Sequence, residues 1–442
     1  MIHALLASTD GQGLVSDTMS AFVALLGFAA TVGVLTKFVK IPYTVALVLA
    51  GLAVALLDAA PPDWALNEEL VLVLFLPPLL FQAGLHMNLA HLQRKAIPVA
   101  ALAIPGVLLS MLAVAFAVRF FIPDEITQVY GPWLPALLFG AMLAPTDPIS
   151  VLAVFKSANA PERLKTLVEG ESLFNDGTGV VLFLILRAAI IGVAAGSIGE
   201  PAATETLSIA SGVIEFVRVV GFGLVAGLGC GMIAFWLLKR LDDHVLENAI
   251  TVVLVWGSFI IAEKIHGSGV IAVVVAGLIM GNYGSKLAMS KRTCETIETF
   301  WESIDFIVNS LVFLLIGIEL QFIGGANGAG VQKLVELNVL LAIACSFVAI
   351  LASRAVMVYT VALMFGKHWP RGWKHIVWWA GLKGSIPIAL VLGLPDTNLR
   401  EFLLPVAFGI VLISLLLQGL TMPTLIRKSD VGPIEDEPEP KH

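Results

Sequence analysis

The sequence ESLFND at residues 171–176 lies within an apolar stretch that covers residues 167–189, and it determines how the whole chain is interpreted. It places two carboxylates, a hydroxyl and an amide within six positions. An ionisable side chain inside a membrane helix costs about 2.5–3.5 kcal/mol on insertion scales unless it is paired, hydrated or functional. The acids Glu171 and Asp176 therefore indicate a function, and the handling of ions or protons is the leading one.

The composition of the chain is that of a membrane protein. Of its 442 residues, 58% are hydrophobic and 13% are charged, whereas soluble domains carry about 25% charged residues. The apolar residues come in long runs, and no soluble core is that large at this length. Three cysteines, Cys230, Cys294 and Cys345, lack metal or disulfide spacing. We expect no cofactor, no nucleic-acid partner and no enzymatic activity.

Thirteen apolar runs are candidates for crossing a bilayer, which takes about 20 residues. We predict an all-α membrane protein with spans at 18–38, 41–59, 68–89, 96–121, 132–156, 166–194, 207–238, 246–263, 268–283, 300–324, 332–365, 373–395 and 400–427. Residues 1–17 lack the basic start of a signal peptide, so the first run is predicted to be a retained helix that follows an external N-terminus. The acidic, proline-rich residues 428–442 are predicted to be a disordered cytoplasmic tail.

Lys and Arg residues predict the orientation of the chain. Alternate loops contain 18 of the 26 basic residues: Lys37, Lys40, Arg94, Lys95, Lys156, Arg163, Lys165, Lys239, Arg240, Lys286, Lys291, Arg292, Lys367, Arg371, Lys374, Arg427, Lys428 and Lys441. The intervening loops contain few. This asymmetry indicates thirteen crossings of the cell (inner) membrane, with the N-terminus outside and the C-terminus in the cytoplasm.

Thirteen spans divide into six, one and six. The first repeat covers about 18–194, the linker helix about 207–238 and the second repeat about 246–427. The fifth span of the first repeat contains APTDP at 144–148, and the fifth span of the second contains GLKGSIP at 381–387. Interrupted segments at matching positions of two halves indicate a transporter whose site is built on inverted repeats. The odd linker helix allows the second half to be inverted in the membrane.

The two interrupted segments predict broken helices at membrane depth. Pro145 and Pro148 bracket Thr146 and Asp147, and proline removes a backbone donor and disfavours helix in the residue before it. Such a break is tolerated only beside a polar cavity; the alternative is a proline kink with a capping aspartate. Half-helix ends carry partial charges of opposite sign, so we predict that Asp147 compensates one set and Lys383 the other.

Helical spacing divides the polar residues of 171–176 between two faces. Ser172 and Asp176 are four residues apart and share one face. With Thr146, Asp147 and water they would supply the roughly five or six oxygens that a bare alkali cation takes, by analogy with other hard cations. Asp176 would also bind a proton, and competition for one carboxylate combined with alternating access is antiport. The alternative is that Asp176 is a structural, hydrogen-bonding acid.

Glu171 and Asn175 lie on the neighbouring face, and we predict that they hold the helix in place. Arg354 lies alone in the predicted span 332–365 and needs a carboxylate partner there. We predict a structural pair of Glu171 with Arg354 that is not transported. Elsewhere, the glycine stripe of Gly223, Gly227 and Gly231 permits close helix packing, either within the chain or between protomers.

Together these motifs resemble the cation/proton antiporter family 1, the NhaP/NHE type of sodium–proton exchangers. The resemblance covers most of the membrane region and is carried by FLPPLLF at 75–81, TDP at 146–148, GESLFND at 170–176, GI at 317–318, GLKG at 381–384 and QGLT at 418–421. The GESLFND match is highly specific. The resemblance implies a thirteen-helix homodimer with a dimer domain and a moving core of crossed, unwound helices.

The resemblance also implies roles for individual residues. Asp176 would bind the ion and the proton, Asn175 would be its structural neighbour, and Ser172, Thr146 and Asp147 would be further ligands of Na⁺ or K⁺. It implies a pair of Glu171 with Arg354 as well. An Asn-Asp pair in place of two adjacent aspartates goes with electroneutral, one-for-one exchange in this family.

Two departures from the family pattern bear on which ion is carried. Gln82 stands where the family usually has Glu or Asp, an acid that contributes to the cation site in some members. A neutral amide there would weaken sodium affinity, alter selectivity or shift the pH profile. Lys383 stands where Arg is usual, and it keeps the charge but loses the two-point contact of a guanidinium.

The sequence therefore predicts a lipid-embedded antiporter that exchanges a monovalent cation for protons by an elevator-like motion. Na⁺ is the first choice for the cation, and K⁺ is the alternative because Gln82 removes an acid. A channel or leak pathway on the same fold is a second hypothesis, which would show conductance beyond transporter turnover and no obligatory proton coupling. A transport-dead sensor is the third.

Overall fold

The computed structural model of the chain describes residues 9–36, 38, 41–61, 64, 69–89, 96–147, 151–152, 155, 160–196, 209–241, 243–287, 289–323, 330–365, 369–370, 372–395 and 398–429. Several sequence predictions lie outside the described residues. They concern residues 1–8, Pro148 of APTDP, the tail from residue 430, and the loop residues Lys37, Lys40, Arg94, Lys95, Lys156, Lys367, Arg371 and Lys441.

The regular secondary structure of the described residues is helical throughout. The helices are α1 (Thr9–Thr36), α2 (Tyr43–Leu56), α3 (Leu70–His86), α4 (Ala96–Ala103), α5 (Pro105–Val118), α6 (Asp124–Tyr130), α7 (Leu134–Met142), α8 (Glu162–Gly196), α9 (Ile209–Leu238), α10 (His244–Lys264), α11 (Gly269–Gly284), α12 (Lys291–Ile318), α13 (Gly330–Val335), α14 (Leu337–Phe365), α15 (Trp373–Trp379), α16 (Ile386–Leu392) and α17 (Asn398–Lys428).

Length and composition mark most of these helices as membrane spans. Eight spans in the described residues are long and apolar enough to cross a membrane, one of them formed by α4 and α5 together. Three shorter apolar helices, α2, α3 and α11, have the composition of spans. The remaining predicted spans, 132–156 and 373–395, are the two interrupted ones. The exact number of crossings stays a prediction.

Several helix boundaries differ from the predicted ones. Helix α1 begins at Thr9 and not at residue 18, because a polar helical extension leaves no mark in a hydropathy pattern. Helix α8 begins at Glu162, so Arg163 and Lys165, which we had assigned to a loop, lie in its first turn. The predicted span 96–121 is two helices, because Pro105 has no N–H to continue the first of them.

Helix α8 packs against many of the other helices, including α3, α4, α7, α9 and α11. The glycine stripe of α9 packs against α11 within the chain. A Cβ on Gly223 would lie 2.7 Å from the Ser268 carbonyl oxygen, and one on Gly227 would lie 2.5 Å from that of Ala272. Of the two uses that the sequence left open for the stripe, the structure shows packing inside one chain.

The loop before α10 shows how a helix starts at the edge of the membrane region. The Asp243 carboxylate accepts hydrogen bonds from the backbone N–H groups of Val245 and Leu246. These two bonds, that of Leu246 first, lower the pKa of Asp243. A charged cap of this kind satisfies two of the N–H groups that a helix leaves unpaired at its first turn.

Candidate cation site

The chain leaves its helical path at both predicted interruptions, and the two interruptions touch each other. Helix α7 ends at Met142, and residues 144–147 that follow are not helical. The backbone N–H of Asp147 donates to the carbonyl oxygen of Leu382 at 2.8 Å. A Cβ on Gly384 would lie 2.9 Å from the Cβ of Asp147, so this approach requires glycine.

We call the contact between the two interruptions, residues 144–147 and 381–384, the crossing. Opposite charges lie at the helix ends beside it. The Lys383 ammonium group, on a residue only 2% exposed, donates to the carbonyl oxygens of Ala144 and Pro145, each at 3.1 Å. These carbonyls follow the C-terminus of α7, which is the negative end of a helix. Asp147 lies against Gly384, just before the N-terminus of α16. The geometry is that expected for charge compensation, which stays a predicted role for both side chains.

A hydrogen-bonded chain from α17 holds the second interruption. The backbone N–H of Lys383 donates to Ser414 Oγ at 2.9 Å, and Ser414 donates in turn to Gln418. The Gln418 side-chain amide donates to the carbonyl of Trp379, the last residue of α15, at 3.1 Å. Gln418 begins the QGLT motif, for which no role is predicted from the sequence, and no sequence motif indicates Ser414.

Asp176 lies where α8 passes the first interruption. It is 5% exposed, and its Oδ1 accepts a hydrogen bond from the backbone N–H of Thr146 at 3.1 Å. The hydroxyl oxygens of Thr146 and Ser172 are 2.9 Å apart. The amide of Asn175 donates to Thr146 Oγ1 at 3.3 Å. The structure thus brings together the residues that the sequence proposed, with Asp147 next to Thr146 along the chain.

Glu171 lies five residues before Asp176 on α8 and has different partners. It is 1% exposed, and its two carboxylate oxygens accept hydrogen bonds from the two terminal nitrogens of Arg354, both at 2.9 Å. Asn175 donates to the same carboxylate at 3.2 Å. Arg354 Nε donates to the Trp378 carbonyl at 3.0 Å. A Cβ on Gly381 would overlap the Arg354 side chain, so glycine leaves the space for it.

Two cavities border the crossing. The first has an empty volume of about 710 Å³ including its solvent-open part, and its polar lining includes Asp147, Asp176 and Asn309. None of the described residues that line it carries a positive charge. The second, of about 370 Å³ measured in the same way, is lined by the charged residues Glu171, Arg354 and Lys383. Thr146 lines both cavities, whereas Ser172 is in the described lining of neither.

Two amide residues lie differently from what the sequence indicated. Gln82 is half-buried and is not among the described residues that line the first cavity, although its neighbour Ala83 is. Asn309 of α12 does line that cavity, and we had not singled it out. Its signal in the sequence was a single amide in the apolar run FIVNSLVF at residues 306–313.

Comparisons with known proteins agree with these features. The family model described as sodium/hydrogen exchanger, transmembrane, matches residues 22–428. The chain is 37% identical over 429 residues to the Na⁺/H⁺ antiporter ApNhaP of Aphanothece halophytica, covering 95% of this chain and 76% of that protein. It is 34% identical to the Na⁺/H⁺ antiporter NhaP of Pseudomonas aeruginosa, covering 96% and 100% respectively.

A solved structure shares the fold. The sodium proton antiporter MjNhaP1 of Methanocaldococcus jannaschii at pH 8 superimposes with a TM-score of 0.71 at 20% sequence identity, covering 95% of this chain and 100% of that one. This likeness confirms the predicted all-helical antiporter fold with its crossed, interrupted helices.

Proposed function

The chain belongs to the sodium/hydrogen exchanger family, and on that premise we propose that it exchanges Na⁺ for H⁺ across a cell membrane by alternating access. The observation that carries the proposal is the surroundings of Asp176. This buried carboxylate borders a cavity together with Asp147, and no described lining residue supplies a positive charge. Relatives that are named Na⁺/H⁺ antiporters support Na⁺ as the cation.

Cation and proton compete for the Asp176 carboxylate. An ionised carboxylate offers about four lone-pair positions, of which one accepts the Thr146 N–H. A cation bound to it would take further oxygens from Thr146, Asp147, Ser172 and water. Protonation removes the charge that attracts the cation, so each species leaves as the other binds. The neutral Asn175 beside Asp176 leaves one titrating acid at this position of the motif, which supports an electroneutral, one-for-one exchange.

The crossing would move as one body. Hydrogen bonds join the interrupted segments directly, from Asp147 to Leu382 and from Lys383 to Ala144. The bidentate pair of Glu171 with Arg354 joins α8 to α14. We propose that this core shifts within a lipid-embedded homodimer, with the N-terminus outside and the C-terminus in the cytoplasm. The protein would act as a transporter in the cell (inner) membrane and not as an enzyme.

A cation leak pathway is the second candidate function. It requires a continuous path for ions through the crossing. Thr146 lines both cavities and is hydrogen-bonded to Asp176, Ser172 and Asn175. Thr146 is thus held by hydrogen bonds at the boundary of the two cavities. A boundary occupied in this way favours alternating access over an open path.

The test uses the purified full-length chain in proteoliposomes that contain a pH-sensitive dye. Addition of Na⁺ should drive proton movement, at a rate that does not depend on an imposed membrane potential. Asp176→Asn should abolish exchange, whereas Glu247→Gln should keep it. Glu247 is a matched control because it is equally buried and lies in the described lining of neither cavity.

Each result bears on a different part of the proposal. Undiminished exchange by Asp176→Asn would overturn the mechanism. Proton movement driven by K⁺ and not by Na⁺ would identify K⁺ as the transported cation. Li⁺ is tested as a third cation in the same assay. Cation conductance without proton coupling would establish the leak pathway in place of antiport.

A further inference from the structure

We propose that Asn309 of α12 is a cation-coordinating residue of this transport site, supplying an amide oxygen from a helix outside the crossing. The inference rests on the function proposed above and adds a ligand to the same site. Nothing in the motifs at the two interruptions or in 171–176 points to this residue. Its burial, its missing hydrogen bond and its place in the cavity wall carry the inference.

Asn309 is a buried amide that lacks an internal use. It is 6% exposed, and its Nδ2 has no hydrogen-bond partner among the described residues. Buried polar groups nearly always have a partner, and one without it needs an explanation. The next residue, Ser310, has a structural use, because its hydroxyl is 2.8 Å from that of Tyr43. Asn309 therefore lines the cavity with an amide nitrogen that has no hydrogen-bond partner among the described residues.

Asn309 is one of five polar residues in the described lining of the first cavity, with Thr146, Asp147, Asp176 and Ser385. The rest of that lining is apolar, with residues such as Leu76 and Phe313. The acids Asp147 and Asp176 come from the crossing and its neighbour α8, whereas Asn309 comes from α12, which packs on α2 and α3. The three side chains therefore border one space from different parts of the fold.

The crossing and α8 supply part of the oxygen shell of a cation. Oδ1 of Asp176 already accepts the Thr146 N–H, and Ser172 contacts Thr146 without lying in the described cavity lining. A bare alkali cation takes about five or six oxygens, by analogy with other hard cations, so an oxygen from α12 would add to those of Asp147, Asp176 and water. Rotation of a side-chain amide by 180° exchanges the positions of its nitrogen and its oxygen and hardly changes the space that the side chain occupies. Asn309 can thus turn its oxygen to a cation.

The neutrality of Asn309 matters for the stoichiometry. An amide adds an oxygen ligand but no proton-binding site, so it strengthens cation binding without adding a charge to the exchange. The sequence drew attention to a different amide, Gln82, whose neutrality was expected to weaken sodium affinity, alter selectivity or shift the pH profile. Gln82 is not among the described residues that line the cavity, so the amide in the described cavity wall is that of α12 and not that of α3.

The experiment measures Na⁺ binding separately from transport. Binding is read from the Na⁺-dependent rise in thermal stability of the purified full-length chain, because a ligand that binds only the folded state stabilises it. Asn309→Leu should raise the apparent dissociation constant for Na⁺ about tenfold, as expected for the loss of one hydrogen-bond-strength contact to a charge. The apparent KM for Na⁺ in proteoliposomes should rise with it, and the maximal rate should change little.

Two further variants separate coordination from structure. Asn309→Asp keeps the oxygen and the shape, so it should retain Na⁺ binding, and its added acid should shift the pH profile of exchange. Asn248→Leu is the matched control, since the Oδ1 of Asn248 is also buried without a partner in the described residues but lines neither cavity. It should leave Na⁺ affinity unchanged. If Asn309→Leu fails to fold, Asn309→Ala takes its place in the comparison with Asn309→Asp.

The outcomes separate this inference from the proposed function. Wild-type Na⁺ affinity in Asn309→Leu, or in Asn309→Ala, would overturn the role of Asn309 while wild-type exchange and the Asp176→Asn loss leave the function intact. A wild-type chain that exchanges no cation would instead overturn the proposed function itself. An equal loss of affinity in Asn309→Asp and Asn309→Leu would assign Asn309 to packing and overturn the inference.

Discussion

Two faces of α8 hold buried acids in opposite circumstances. Glu171 faces Arg354, and both of its oxygens accept hydrogen bonds from that guanidinium. Asp176 accepts one from the Thr146 backbone and borders a cavity that it shares with another acid. Taking a charge out of water costs several kcal/mol unless a partner compensates it. The compensation is built into the protein at Glu171, whereas at Asp176 a transported ion would supply it.

This difference assigns a task to each face. A carboxylate with a permanent cationic partner is not free to bind a second cation, so the Glu171 face is predicted to hold α8 against α14. Asp176 has no positively charged residue in the described lining of its cavity, and the Lys383 ammonium nearby donates to backbone carbonyls, so this carboxylate is the one expected to alternate between a proton and a cation. The comparison can be tested by disturbing each face in turn.

The largest effect on stability should come from the paired face. Removing one partner of a buried ion pair costs about 3–5 kcal/mol, because the other charge stays buried and unpaired. Glu171→Gln and Arg354→Gln should each lower the thermal unfolding midpoint and the yield of folded protein, as measured on the purified chain. The double variant should recover part of the loss, since it leaves no unpaired charge.

The exposed pair of Arg218 with Glu215 on α9 provides the control for that series. Exposed ion pairs contribute little, so Arg218→Gln should leave the unfolding midpoint nearly unchanged. A Glu171→Gln variant that folds like the wild type but exchanges no cation would reverse the assignment of the two faces.

A smaller effect is expected from the charge that connects the two interruptions. Lys383→Met would leave the Ala144 and Pro145 carbonyls without their donor, at a cost of about 1–3 kcal/mol for buried groups left unpaired. Lys383→Arg keeps a positive charge at the end of α7 and should retain most of the exchange. Thermal unfolding and dye-based exchange assays would measure both effects. Equal behaviour of the Met and Arg variants would show that the charge itself is not needed there.

The sequence predicted those features of the molecule that have local causes. Long apolar runs give the spans, prolines and glycines give the interruptions, and the helical repeat separates Glu171 from Asp176. Each of these signals lies within a few residues of the structure that it predicts. The contact between the interruptions was inferred from their matching positions in the two repeats and from the family resemblance, because no local signal in 144–148 refers to 381–387.

The sequence could not predict which side of a helix faces the cavity. The apolar residues around Gln82 in α3 and around Asn309 in α12 leave the rotation of each helix undetermined, and packing against neighbours fixes it. As a result Asn309 was overlooked, and the role of Gln82 stays a prediction. The start of α1 at Thr9 could not be predicted for a different reason, since a polar helical turn resembles a loop in composition.

The smallest effect is expected at Gln82, where restoring the acid usual in the family tests the position of the cavity wall. Gln82→Glu should change the apparent Na⁺ affinity by no more than about threefold, because a charge outside the cavity acts on the ion only through a screened Coulomb interaction. Ala83→Asp is the matched comparison, since Ala83 lines the cavity, and it should alter affinity and pH profile more strongly. Sodium-driven exchange in proteoliposomes measures both. A larger gain from Gln82→Glu than from Ala83→Asp would show that Gln82 reaches the ion, and that α3 as well as α12 contributes to the surroundings of Asp176.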